Sequence, residues 1–218
     1  DEAVTADAKE ETKAPVAPQE GSAVTVAVEA VEIEGNTIFV AGSATPGHAV
    51  RVYADAELLG ESVVSEGSRF LVEEKRELAV GNYLIRADLI DKSGNVVARA
   101  TVPFEREPGE AIAAVAPEDN QASTLAPTET AAPLQRADGS VIIRRGDSLW
   151  RISRRVYGHG IRYSTIYLAN QDQISNPDRI WPGQVFALPG QTPEGDEADL
   201  DAIGDQAVEP QERQSTSE

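Results

Sequence analysis

Between positions 24 and 104 the chain runs through seven short segments in which apolar and polar residues alternate, each closed by turn-forming residues. They read VTVAVEAVEIEG, NTIFVAGSA, HAVRVYA, ELLGESVV, RFLVEE, NYLIRADLI and NVVARATVPF. A period of two belongs to a pleated strand with one buried face. Val24, Val26 and Val28, or Tyr83, Ile85, Ala87 and Leu89, fall on one side, while Thr25, Arg86 and Asp88 fall on the other. Gly35-Asn36, Pro46-Gly47, Gly81-Asn82 and Ser93-Gly94-Asn95 supply the backbone conformations that tight turns require. Seven strands at this spacing predict an all-β sandwich over residues 21–107.

Outside this region the pattern lapses twice before a second patterned stretch begins. Residues 1–20 mix Ala, Pro and charge with no apolar period, which predicts a disordered leader. Residues 108–137 are rich in Ala, Pro and Thr and read as a linker that lets two domains move semi-independently. Residues 191–218 carry nine acids against the single base Arg213 and are expected to form an unfolded, solvated acidic tail.

Charge and composition narrow the function classes. A net charge of −18 disfavours nucleic acid and anionic bilayers as partners of the whole surface. Only residues 138–190 are basic, with seven Arg against Asp138, Asp147, Asp172 and Asp178. The absence of Cys excludes disulfides, thiolate metal sites and Cys nucleophiles. No apolar run reaches the length of a membrane span, and no basic, apolar leader is present. Starting at Asp1 and lacking Met, the chain reads as a processed form or a fragment.

Within 138–190 the order is strand, helix, helix, strand. SVIIRR at 140–145 is a short strand, followed by Gly146-Asp147-Ser148-Leu149-Trp150, where Asp147 or Ser148 is suited to cap a helix. Leu149, Ile152 and Val156 recur at helical spacing, with Arg151, Arg154 and Arg155 on other faces. Gly158 and Gly160 break that helix, and Tyr163, Ile166 and Tyr167 mark a second one ending near Asn170. Asn176-Pro177-Asp178 and Pro182-Gly183 are turns, and QVFAL at 184–188 is a closing strand able to pair with the first.

These residues carry two resemblances. The stretch from Ala44 to Val97, with its Thr45-Pro46-Gly47 turn, Gly81-Asn82-Tyr83 and Asp91-Lys92-Ser93-Gly94-Asn95, resembles the bacterial immunoglobulin-like repeats, which implies a spacer or interaction module with a possible protein partner. The stretch from Val141 to Pro189 resembles the LysM family. Its marks are Gly146-Asp147-Ser148-Leu149-Trp150-Arg151-Ile152, Tyr157-Gly158, Ala169-Asn170, Asn176-Pro177-Asp178-Arg179-Ile180 and Pro182-Gly183-Gln184. The resemblance implies a shallow groove for N-acetylglucosamine-containing glycan such as peptidoglycan. Its implied lining is Gly146, Asp147, Ser148 and Leu149 on one side, and Ile174, Asn176, Pro177, Asp178, Arg179 and Ile180 on the other. The implied setting is the periplasm or cell envelope.

Other chemistries find less support. His48 stands alone in its domain, so no metal site is expected, and no cofactor is implied. Ser148 with His159 lacks an orienting acid and oxyanion donors at recognisable spacing, so the chain reads as non-catalytic. Trp150 lies just inside a helix and is expected to pack on the core, leaving Trp181 as the exposed candidate for sugar stacking. The form of the 157–184 stretch is also similar to LysM variants of cytoplasmic ion-binding proteins and phage-tail adaptors. An intracellular or phage-tail-like adaptor that binds protein or ion is therefore the alternative expectation.

Overall fold

The computed structural model describes residues 24–108, 111–115, 134–136, 139–200 and 202. The leader read at 1–20, most of the 108–137 segment and the end of the acidic tail lie outside the described residues. The seven alternating segments become β1 (Val26–Glu34), β2 (Thr37–Ala44), β3 (Ala49–Ala54), β4 (Glu57–Val63), β5 (Arg69–Lys75), β6 (Gly81–Ile90) and β7 (Val96–Arg106). Two further strands follow, β8 (Ala111–Val115) and β9 (Gln135–Arg136).

They form two antiparallel sheets, ordered β5-β2-β1-β8-β9 and β4-β3-β6-β7. Val31, Ile33, Ile38, Val40, Phe70 and Val72 of the first meet Val50, Val52, Ile85, Leu89, Val102 and Phe104 of the second in one apolar core. The result is the expected sandwich. The turns use the expected glycines, with Gly35 at φ 56° and Gly47 at φ 82°. Part of the segment read as a linker differs from that reading, because Ala111–Val115 adds to the first sheet with Ala30 opposite Val115 and Glu34 opposite Ala111. AIAAV has no polar alternation, so its sequence carries little strand signal. What fixes it is the free edge of β1, whose backbone groups need partners.

The C-terminal module is β10 (Ser140–Ile142), α1 (Leu149–Tyr157), a 3-10 turn at Gly160–Arg162, α2 (Tyr163–Ala169) and β11 (Val185–Ala187). β10 and β11 pair antiparallel, with Ile142 opposite Val185. Ser148 is the residue that caps α1, accepting from the Arg151 amide at 3.3 Å, and Gly158 ends it at φ 74°. Val141, Ile143, Phe186 and Leu188 pack against Leu149, Ile152, Val156 and Ile166 of the helices. Asn170 is buried and locks α2 to β11: its Nδ2 donates to the Ile166 and Ala187 carbonyls at 2.7 and 2.8 Å, and its Oδ1 accepts from the Ala187 amide at 2.8 Å.

The two domains are docked, which corrects the expectation of semi-independent motion. Ile142 and Val185, on the face of the β10-β11 ladder turned away from the helices, cluster with Ala30, Phe39, Ala41, Leu71 and Val115 on the outer face of the first sheet. Arg144 reaches across to Glu32 at 2.9 Å and Glu34 at 2.5 Å, with its guanidinium 3.7 Å from the Phe39 ring centre. Gly183 lies so close to the Phe70 backbone that a side chain there would collide with the Phe70 carbonyl.

The start of the acidic tail also departs from the solvated reading. Thr192 is buried, its amide donates to the Asp196 carbonyl at 2.8 Å, and the Asp199 amide donates to the Val156 carbonyl at 2.8 Å. Arg162 holds the turn through Asp196 at 2.6 Å and Glu194 at 3.1 Å. Two of the nine acids that suggested solvation, Glu194 and Asp196, are thus met by a cation on the module. Among the described residues, no helix is long and apolar enough to cross a membrane.

Candidate functional site

Antiparallel pairing decides where the two expected groove walls lie. Ile142, the last residue of β10, sits opposite Val185, the first of β11. The chain leaving β10 and the chain entering β11 therefore emerge at the same end of the ladder, carrying residues 143–149 and 174–184. Below them the Ile143 amide donates to the Gln184 carbonyl at 2.8 Å, and the Gly183 amide donates to the Ile143 carbonyl at 2.8 Å. Leu149, Ile174 and Ile180 share one apolar cluster, which ties the walls together from beneath.

The first wall is a tight turn. Gly146 takes φ 89°, where a side chain would be strained, and its carbonyl accepts from Arg151 Nη1 at 2.7 Å. Asp147 Oδ2 accepts from the Arg144 amide at 2.8 Å. Burial pushes the Asp147 carboxyl above its ordinary range, opposed by the Arg144 amide and by the charges of Arg155, Arg144 and Arg151. Ser148 is half-buried and occupied as the helix cap.

The second wall is another tight turn. Asn176 Oδ1 accepts from the Asp178 amide at 2.9 Å, and the Asn176 carbonyl accepts from the Arg179 amide at 3.0 Å. Asn176, Asp178 and Arg179 are exposed, and Pro177 and Ile180 are half-buried. Buried Gln184 supports the loop, its Oε1 accepting from the Trp181 amide at 2.7 Å and its Nε2 donating to the Gln173 carbonyl at 3.2 Å.

Two of the ten expected lining residues are placed differently from the rest. Leu149 and Ile174 are each 2% exposed, so their side chains belong to the core and leave only backbone for a ligand. The apolar surface at this end comes from Ile180 and Pro177. The exposures of the two tryptophans differ from expectation. Trp150 is 49% exposed, lying on Gly160 with Arg154 5.4 Å from its ring centre. Trp181 is half-buried because Gly67 of the first domain lies against its indole. Periodicity within one domain cannot register such a contact.

Electrostatically the module is split. Arg144, Arg162 and Arg179 are ion-paired, whereas Arg145, Arg151, Arg154 and Arg155 form no ion pair among the described residues. The described residues hold no cluster of three or more His, Cys, Asp or Glu arranged for a metal.

Residues 141–189 match the family model of the LysM domain. The chain is similar to the Potassium binding protein Kbp of Escherichia coli O6:H1, 35% identical over 78 residues, which is 36% of this chain and 48% of that protein. It is also 44% identical over 48 residues to an uncharacterized protein of Deinococcus radiodurans, covering 22% of this chain and 18% of that one. The similarity thus spans about half of the first relative's length and much less of the second's. A solved structure of the fibronectin(III)-like modules of Clostridium thermocellum CbhA is 23% identical, covering 38% of this chain and 95% of that one, at a TM-score of 0.29. Residues 141–189, with their strand-helix-helix-strand order and two loops meeting at one end, are a LysM domain.

Proposed function

We propose that the LysM domain binds N-acetylglucosamine-containing glycan such as peptidoglycan, and that the chain is a non-catalytic protein of the periplasm or cell envelope. The observation that carries this reading is the meeting of the Gly146–Ser148 turn and the Asn176–Ile180 turn at one end of the β10-β11 ladder. An acetamido sugar offers an amide donor, a carbonyl acceptor and a methyl. Exposed Asn176 and Asp178 and the turn backbones suit the polar groups, while Ile180 and Pro177 suit the methyl.

The interactions are individually small, about 0.5–1.5 kcal/mol per hydrogen bond and about 0.8 kcal/mol for the methyl. A single shallow site of this kind binds in the millimolar to micromolar range. Arg145, Arg151 and Arg154, which form no ion pair among the described residues, add attraction for an anionic wall polymer.

Purified sacculi test the reading. The chain should co-sediment with them at low salt, and chitooligosaccharide should shift the Asp147 and Ile180 amide signals in a two-dimensional NMR spectrum. Absence of both effects removes the proposal. The likeness to a protein named for potassium binding supports a second reading, an intracellular adaptor whose LysM fold takes an ion. With no carboxylate cluster among the described residues, backbone carbonyls and hydroxyls would have to hold the cation. Titration with KCl against NaCl at constant ionic strength separates the two, since only the second reading demands potassium-specific shifts.

A further inference from the structure

We infer that the glycan site is composite, with the first domain supplying one wall of a second sugar subsite. This deepens the glycan reading above and rests on it. A cleft of about 370 Å³ opens between the turn joining β4 to β5 and the loop entering β11. Glu66 and Gly67 line it from the sandwich, and Ser175, Asn176, Arg179 and Trp181 line it from the LysM domain. Its volume falls in the range of about 300–1,000 Å³ typical of small-ligand sites.

The lining matches a pyranose ring. Trp181 offers apolar indole surface for the C–H face of a sugar. Its position is set by the other domain: a methyl on Gly67 would collide with Cγ, Cδ1 and Nε1 of the pyrrole ring, so Gly67 packs on one face of the indole and leaves the opposite face toward the cleft. The Arg179 guanidinium lies over the Trp181 ring, 4.7 Å from its centre, and is held there by Glu66 at 3.1 Å, so a sugar reaches the aromatic surface by displacing this exposed side chain. The Arg179 and Glu66 side chains are 62% and 85% exposed, so their ion pair is weak and opens readily to sugar hydroxyls. Ser175 and Asn176 are exposed and add a hydroxyl and a side-chain amide.

Continuity with the groove comes from Asn176 and Arg179, which belong both to the second groove wall and to the cleft. An N-acetylglucosamine oligomer seated on the groove therefore passes along this loop into the cleft. On this reading a dimer occupies the groove and a longer oligomer reaches the cleft as well. The sandwich then takes part in recognition and is more than a spacer.

The test compares the chitin dimer with the tetramer on the full chain. The tetramer should bind at least about tenfold tighter than the dimer. Tetramer should also shift the Trp181 indole N–H and the Gly67 amide, and dimer should leave both in place. In Glu66→Ala, an exposed position, the tetramer-to-dimer affinity ratio should fall toward one. A wild-type ratio near one, with shifts confined to residues 146–149 and 176–180, would overturn the cleft while leaving the groove intact. No shift anywhere with either oligomer would remove both readings.

Discussion

The two sheets of the sandwich were built by the same alternation, yet only one of them stops at it. The outer face of the β4-β3-β6-β7 sheet is left open, with Leu58, Val63 and Leu84 exposed beside a polar ladder in which Glu61 pairs with Arg51, and Arg99 and Arg86 hold Asp88. In the other sheet the outward positions Ala30, Phe39, Ala41 and Leu71 are buried as completely as the inward ones, because the LysM ladder covers them. A one-faced sheet tolerates change on its wet side, whereas a two-faced sheet has none.

The largest difference should come from Arg144, the cation that neutralises two acids on the covered face. Arg144→Ala leaves Glu32 and Glu34 facing an apolar surface unpaired, a loss that reaches about 3–5 kcal/mol for buried pairs. Separation of the domains relieves such a penalty. The expected outcome is thus an increase in radius of gyration by small-angle scattering, with the sandwich still folded by circular dichroism. An unchanged radius together with an unchanged denaturation midpoint would show that docking does not depend on this ion pair.

Next in size is Ile142→Ala, which removes apolar volume at the centre of the same contact. A cost of about 2–3 kcal/mol is expected in urea denaturation at pH 7, at the lower part of the range for buried Ile truncations because the interface can partly close. A loss below half that size would mean that the LysM ladder rests only loosely on the sheet.

A smaller effect should appear in the pH dependence. Burial raises the Glu32 carboxyl above its ordinary value of 4.5, with Arg144 opposing the shift and Glu34 adding to it. The docked state holds that proton more tightly than the unfolded chain. The associated stability is therefore complete below pH 4.5 and is lost as pH rises through the raised value. Glu32→Gln should flatten this part of the stability profile above pH 4.5, measured from denaturation midpoints. A profile that keeps its slope would assign it to another group.

The smallest change is expected on the open sheet. Arg51→Ala breaks a pair whose side chains are 43% and 48% exposed, and its denaturation midpoint should coincide with that of the unaltered chain. A clear shift would mean that the wet face is as constrained as the covered one.

Much of this contrast was legible in particular residues. The run Arg51, Tyr53 outward and Val50, Val52 inward reads directly as a half-buried strand, and Ser148 followed by Leu149, Ile152 and Val156 reads as a capped helix. Other signals are present as well. Ile38-Phe39-Val40-Ala41 and Val141-Ile142-Ile143 are unbroken apolar runs, the mark of strands buried on both sides. For the site, the turns around Gly146 and Asn176 and the core position of Leu149 on the Leu149, Ile152, Val156 stripe were readable from their residues, whereas the burial of Ile174 and the contact of Trp181 with Gly67 were not.

By itself, then, the chain's sequence determined strands, helices, caps and turns, because period, glycine placement and capping hydrogen bonds act between residues a few positions apart. Tertiary structure alone decided which apolar face met which. The Arg144 contact with Glu32 and Glu34, the Gly67 contact with Trp181 and the shared cleft join residues more than a hundred positions apart. Apolar attraction is non-directional, so a run of apolar residues announces that it will be covered without naming what covers it.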